Sequence, residues 1–260
     1  PWMGDSNYYI QIARDPRVLG IPAAPLAPVK TVGPIYPTFL IPFFYASPST
    51  LEALTSRVIA VRLVQLLMDT WITCMMVQIA WRLFGERVAL ITTVVQAFDL
   101  RYIFISATIS TETLFIALFV TALWALLKAQ SEAGYPWYRI SGGILGLAVL
   151  TRPIPILFPL LLIAVLLPAM RRFRRELTGL VNLFAVMLLI ITPWFARTAI
   201  VTGEAVPVVS TAFNHFWMST QPGLDDSSTE DIQNRRAEEG LMDEQARTSG
   251  NVYVSAGVRN

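Results

Sequence analysis

Cysteine and histidine are almost missing from this sequence: Cys74 and His215 are the only examples in 260 residues. A single cysteine excludes an intrachain disulfide, and inside an apolar run it offers no thiolate metal site. One histidine without partner ligands makes no zinc site and leaves a Ser-His-Asp triad nothing to be built from. Charge is scarce too. Asp, Glu, Lys and Arg make up 15% of the chain, against roughly a quarter in soluble domains. The net charge of +2 is too small to draw in nucleic acid. No repeat of about 20 to 50 residues is visible, and no charged leader with a small-residue cleavage site opens the chain. It begins at Pro1 rather than Met, so it is read as a fragment with an N-terminal piece missing.

What is present is apolar. Hydrophobic residues make up 54% of the chain, and the mean hydropathy is +0.54. The expected class is an all-α, polytopic transmembrane helix bundle, since helices satisfy their own backbone in lipid. The expected organisation is an extracytoplasmic loop with short juxtamembrane helices over 1–56, a six-span region over 57–197, and the start of a truncated extracytoplasmic region over 198–260. The apolar stretch 34–45 is too short to span a core that needs about 20 residues, and reads as interfacial. Spans are expected near 57–83, 88–105, 110–127, 140–150, 154–170 and 177–196. The fourth and fifth are short, so they are either thin spans or one helical hairpin turning at Arg152 and Pro153.

Lysine and arginine set the orientation. With six crossings, Arg82, Arg87, Lys128, Arg139 and the cluster Arg171, Arg172, Arg174 and Arg175 share one side, which the positive-inside rule makes cytoplasmic. Five crossings would put the cluster and the Lys128 loop on opposite faces. The opening loop, Glu112, Arg152 and the chain beyond Arg197 then share the outer side. The tail carries paired acids such as Asp225 and Asp226 and has too little apolar content to fold alone. It reads as a solvated loop rather than a metal site.

Several residues have the right chemistry for a site. Asp5 precedes the helix-compatible run 6–14 and is suited either to capping that helix or to acting as a general base on a hydroxyl, roles that do not exclude each other. Tyr8 and Tyr9 could seat a sugar ring. Glu112, in ISTETLF, is a helix-start charge or a functional acid whose crossing parity puts it on the Asp5 side. Arg152 in LTRP and Arg197 in PWFAR either snorkel to head groups or bind a phosphate, for which the guanidinium fork is well shaped. Arginine on the outer side is disfavoured, which argues for an anionic partner. Lys30 and Arg57 are weaker candidates of that kind. Arg62, Gln65, Asp69 and Gln78 in the first expected span must face the bundle or water, as a structural pair or a proton path. Gly142, Gly143 and Gly146 have the spacing of close helix packing. His215 reads as an interfacial residue.

The order of GDSNYYIQIARDP, KTVGPIYPTFLIPFF, RVIAVRLVQLLMDTW, RLFGERVAL, STETLF, GGILGLAVLTRP and ITPWFARTAIVTGEAVPVVSTAFN resembles the polytopic glycosyltransferases of the C-type fold. More closely, it is similar to the bacterial and archaeal membrane branch related to dolichyl-phosphate-mannose protein mannosyltransferases, family 39. The resemblance implies a hexosyl- or pentosyltransferase that moves a sugar from a polyprenyl-phosphate donor to a hydroxyl of a lipid, glycan or protein, outside the cytoplasmic membrane. It places the catalytic acid at Asp5, with Ser6 where many relatives have a second acid. Lys30 stands where the family has an arginine ahead of a segment that reads GPIYP here. Asp99, Leu100 and Arg101 stand where relatives often have prolines, towards the outer end of the second span. On this reading Asp5 takes the acceptor proton as the hydroxyl attacks the anomeric carbon with inversion. Lys30, Arg152 or Arg197 steadies the departing phosphate, and Tyr9, Tyr36 and Glu112 line the substrate site. The donor is a substrate, no cofactor is implied, a divalent metal is not expected, and the partners are membrane lipid and the acceptor. The alternative from another class is a transporter or flippase for a lipid-linked anion, which predicts inverted repeats and broken helices. A third reading is a structural subunit of an envelope complex.

Overall fold

A computed structural model describes residues 5–14, 33–45, 51–99, 105, 108–132, 135–166 and 173–202. Lys30, Arg101, Arg171, Arg172, His215 and the acidic tail lie outside the described residues, as do the side chains of Asp5, Ser6 and Tyr8. Every helix described is α-helical or 3-10, with no strand among the described residues.

Two short helices come first, α1 (Asp5–Arg14) and α2 (Ile35–Phe44). Pro37 lies in the first turn of α2, where a missing N–H costs little, and Thr38 donates to the Pro34 carbonyl at 2.7 Å. The bundle follows: α3 (Leu51–Phe84), α4 (Glu86–Phe98), α5 (Thr111–Glu132), α6 (Tyr135–Thr151), a 3-10 turn (Ile154–Leu157) running into α7 (Phe158–Leu166), and α8 (Phe173–Thr202). The helices overrun the expected apolar windows at several ends. α3 starts at Leu51 and α8 at Phe173 because hydropathy registers the lipid-like middle, whereas polar helix formers such as Glu52 and Arg175 extend the same helix.

Side-chain contacts fix the direction of each helix. Along α3 and α5 the pairs rise together: Trp71 donates to Thr121 at 2.8 Å, Trp124 to Gln78 at 2.9 Å, and Arg82 to Ser131 at 3.5 Å. These helices are parallel, so α4 and the chain after it supply the return stroke. Between α5 and α6 the order inverts, with Ser141 donating to the Ala122 carbonyl at 2.8 Å and the Trp124 and Trp137 rings 5.9 Å apart. α6 and α8 are parallel again: Tyr138 donates to Glu176, and further along Gly142 faces Leu183 and Gly146 faces Ile190. The 3-10 turn and α7 make the return. The six bundle helices therefore alternate in direction.

The bundle has two ends as a result. The starts of α3 and α5 and the finishes of α4, α6 and α8 share one, here the Glu112 end. The turn at Gly85, the α5–α6 junction and the start of α8 share the other. By length and composition, three of these helices can cross a membrane: Leu54–Phe84, Thr111–Ser131 and Glu176–Ile200. At 13 residues, α4 is only about 20 Å long.

Close approach holds the second half together. A Cβ on Gly142 would lie 2.2 Å from the Leu183 carbonyl oxygen, so only glycine lets α6 and α8 meet here. Leu145, Val149, Leu180, Leu183, Met187 and Ile191 fill that seam. Val58, Val61, Ile109 and Leu114 pack with Tyr36, Leu40 and Phe44 of α2. α1 joins the two clusters, Ile12 entering the first while Ile10 and Ala13 enter the second.

Candidate functional site

The residues that gather at the Glu112 end come from five elements: α1, α2, α5, the end of α6 and α8. Glu112 is in the first turn of α5, where a carboxylate suits the positive end of the helix dipole. Arg152 directly follows α6, and its N–H bonds the Ala148 carbonyl at 2.9 Å as that helix ends. Pro153 then prevents the helix from continuing, which leaves the Arg152 side chain at the rim. Its Nη1 donates to Glu112 Oε1 at 2.8 Å, with the two side chains 37% and 33% exposed. The Thr111 hydroxyl reaches the other carboxylate oxygen at 3.5 Å.

Two tyrosines from the short helices pack at this end. Tyr36 is fully buried, and its ring meets that of Tyr9 edge-on at 5.0 Å. Burial pushes the Tyr36 phenol well above its ordinary range, and the nearby Tyr9 and Glu112 add to the rise. Tyr36 therefore stays a neutral phenol. Its hydroxyl has no hydrogen-bond partner among the described residues. The entry to α2 is held against α6, since a Cβ on Gly33 would lie 2.0 Å from the Leu150 carbonyl oxygen.

Arg197 lies on α8 at the level of Arg152, as the parallel register of α6 and α8 requires. Its guanidinium sits over the Trp194 ring at 4.7 Å, and Trp194 packs in the cluster that holds Leu150. Nε and Nη2 of Arg197 are buried with no partner among the described residues. Buried guanidinium donors left open on a half-buried arginine are a costly arrangement that an anion relieves.

Of the residues expected from sequence, Tyr9, Tyr36, Glu112 and Arg152 are brought together, and Arg197 is placed at their level. Asp5 is the first residue of α1, one turn before Tyr9 on the same helix. Arg57 departs from the expectation. It donates to the Phe43 carbonyl at the end of α2, so it ties α2 to α3 rather than standing ready for a phosphate. Arg62 is exposed on α3 rather than facing the bundle, whereas Gln65 is buried and Gln78 accepts from Trp124.

Sequence reasoning passed over Arg14, whose Nε is buried without a partner among the described residues. The Ser110 and Thr113 hydroxyls beside Glu112 are unpartnered in the same sense. An arginine in the last turn of a short helix looks like an ordinary dipole partner, so no sequence signal marked Arg14. Among the described residues no group of three or more His, Cys, Asp and Glu side chains could hold a metal.

The assembled groups are two arginines, one paired with a carboxylate, beside the Tyr9–Tyr36 ring pair, a set whose chemistry suits an anion. Comparison with protein families finds a match over residues 40–208 to the family described as dolichyl-phosphate-mannose-protein mannosyltransferase. Glu112, Arg152 and Arg197 lie inside the matched stretch; Asp5, Tyr9, Lys30 and Tyr36 lie before it. Neither a curated protein nor a solved structure matches the chain.

Proposed function

The chain belongs to the dolichyl-phosphate-mannose-protein mannosyltransferase family, and from that premise we propose that the Glu112 end is where the sugar is transferred. Family membership makes it a membrane glycosyltransferase that uses a polyprenyl-phosphate-linked sugar. In the proposed mechanism the donor's prenyl chain stays in the bilayer while its phosphate reaches Arg152 and Arg197, with Lys30 as a third cation. The acceptor hydroxyl attacks the anomeric carbon as Asp5 takes its proton, and the bond to the phosphate oxygen breaks with inversion at carbon. Cationic donors aimed at the leaving phosphate stabilise the charge that develops there. Tyr9 and Tyr36 bound the sugar. The transferred group is a hexose or pentose, and the acceptor a lipid, glycan or protein hydroxyl.

In the same proposal the six alternating helices are six crossings, with Arg82, Arg87, Lys128 and Arg139 at the cytoplasmic end. The Glu112 end then faces outward, and residues 198–260 begin an extracytoplasmic region. Six alternating directions and the pairing of Arg152 with Glu112 support this arrangement.

The observation that carries the reading is the pair of open donors on Arg197 level with the one-third-exposed Arg152–Glu112 pair. The test uses membranes carrying the full-length protein and a labelled polyprenyl-phosphate sugar. Asp5→Asn is expected to lower transfer by orders of magnitude at unchanged expression. Transfer that survives the substitution removes Asp5 from the mechanism. Movement of the lipid-linked anion without any transfer favours a flippase.

A further inference from the structure

Glu112 is an acid that opposes an anion at this end. Its carboxylate is at hydrogen-bond distance from Arg152, one of the two arginines proposed to take the phosphate. A carboxylate in the first turn of a helix needs no arginine for its own stability, because the helix dipole already favours it. The pair instead joins two helices at the rim, and both partners are about one-third exposed. Deep burial would lock such a pair, and full exposure would let solvent screen it to little. At this depth the pair is strong enough to form and weak enough to exchange.

The charge balance of the reaction gives that exchange a purpose. The acceptor oxygen bonds to the anomeric carbon, its proton passes to the base, and the carbon–oxygen bond to phosphate breaks with its electron pair left on the phosphate oxygen. The donor is a phosphodiester with one negative charge. The lipid product is a phosphomonoester, which carries nearly two at neutral pH. Two arginines alone would hold the product more tightly than the donor, which opposes turnover. A carboxylate at the same arginine repels the dianion more than the monoanion and offers the guanidinium a replacement partner.

We propose that Glu112 is an exchangeable counter-ion for Arg152: it holds the guanidinium before the donor arrives, yields it to the donor phosphate, and reclaims it as the lipid phosphate leaves. Glu112 thereby sets product release. This rests on the reading that the Glu112 end binds a lipid-linked phosphate.

The experiment measures binding of polyprenyl phosphate and of polyprenyl-phosphate sugar to the full-length protein in lipid nanodiscs. Wild type is compared with Glu112→Gln, Arg152→Gln and the double variant, each checked for its melting temperature. Glu112→Gln is expected to tighten polyprenyl phosphate about tenfold and the glycosylated donor less, to deepen product inhibition and to lower kcat. The gain should shrink in the Arg152→Gln background. A Glu112→Gln protein that folds and binds polyprenyl phosphate no more tightly than wild type overturns the proposal. Weaker binding overturns it too, by making Glu112 a residue that merely orients Arg152. Should Glu112→Gln fail to accumulate, Glu112→Asp carries the test. Its carboxylate withdraws from Arg152, so tighter product binding is expected and unchanged binding refutes the exchange. If wild type binds neither lipid, both this inference and the phosphate-site reading fall. If wild type binds and Arg152→Gln weakens it while Glu112→Gln changes nothing, the inference alone falls.

Discussion

At the Gly85 end of the bundle, Lys128 sits over the Trp137 and Trp124 rings at 4.1 and 5.2 Å, Tyr138 donates to Glu176, and Arg139 reaches Asn182 at 3.4 Å. At the Glu112 end, buried donor atoms of Arg197 and the Tyr36 hydroxyl have no partner among the described residues, and Arg152 has a partner that is one-third exposed. The two ends draw on the same residue types. The difference is in what those side chains are committed to: helix packing at one end, and open hydrogen-bonding capacity at the other. Open capacity in a buried setting is costly unless a ligand uses it, which is the physical argument for placing the chemistry at the Glu112 end.

Substitutions at the two ends should therefore fail differently. The largest expected effect is on folding. Gly142→Leu sets a side chain where a Cβ alone would lie 2.2 Å from the Leu183 carbonyl oxygen, and overpacking of this kind costs at least 1–3 kcal/mol, roughly. Little folded protein should be recovered by fluorescence-detected size exclusion. Next come Arg152→Gln and Arg197→Gln, each expected to lower transfer by about 100-fold or more at near-normal melting temperature. Lys128→Gln should do the opposite. Loss of its cation–π contacts lowers stability by about 0.5–2 kcal/mol, read as a lower melting temperature, while transfer per folded molecule stays near wild type. The smallest effect is expected of Tyr36→Phe. Removing a buried hydroxyl that lacks a protein partner should leave stability unchanged or slightly higher, while the affinity for the donor falls a few-fold. Tyr36→Phe that costs stability and leaves donor affinity intact would move Tyr36 from the site to the core.

Much of this contrast was legible in the chain. Counting Lys and Arg across apolar runs put Glu112, Arg152 and Arg197 on one side, and the alternating helix directions bring the first two into contact. The glycine spacing at 142–146 announced the α6–α8 seam, because backbone approach depends on side-chain size alone. Other features depended on contacts distant in sequence. Arg57 looked like a phosphate candidate because it stands at the start of an apolar run, and only the end of α2 beside it shows that it holds the Phe43 carbonyl. For Arg62 the sequence leaves bundle and water both open, and the rotation of α3, set by Val58, Val61, Gln65 and Ile72, places it outside the bundle. α4 ends at Phe98, short of the apolar window that ran to residue 105, because composition reports solubility in lipid and not where a helix stops.

The account stands most directly on one measurement: transfer of labelled sugar from a polyprenyl-phosphate donor by the full-length protein, with Arg152→Gln and Lys128→Gln compared at equal amounts of folded protein. Arg152→Gln is expected to lose about 100-fold or more, with Lys128→Gln close to wild type. Equal losses at the two ends, or a loss confined to Lys128→Gln, would contradict the assignment of the chemistry to the Glu112 end.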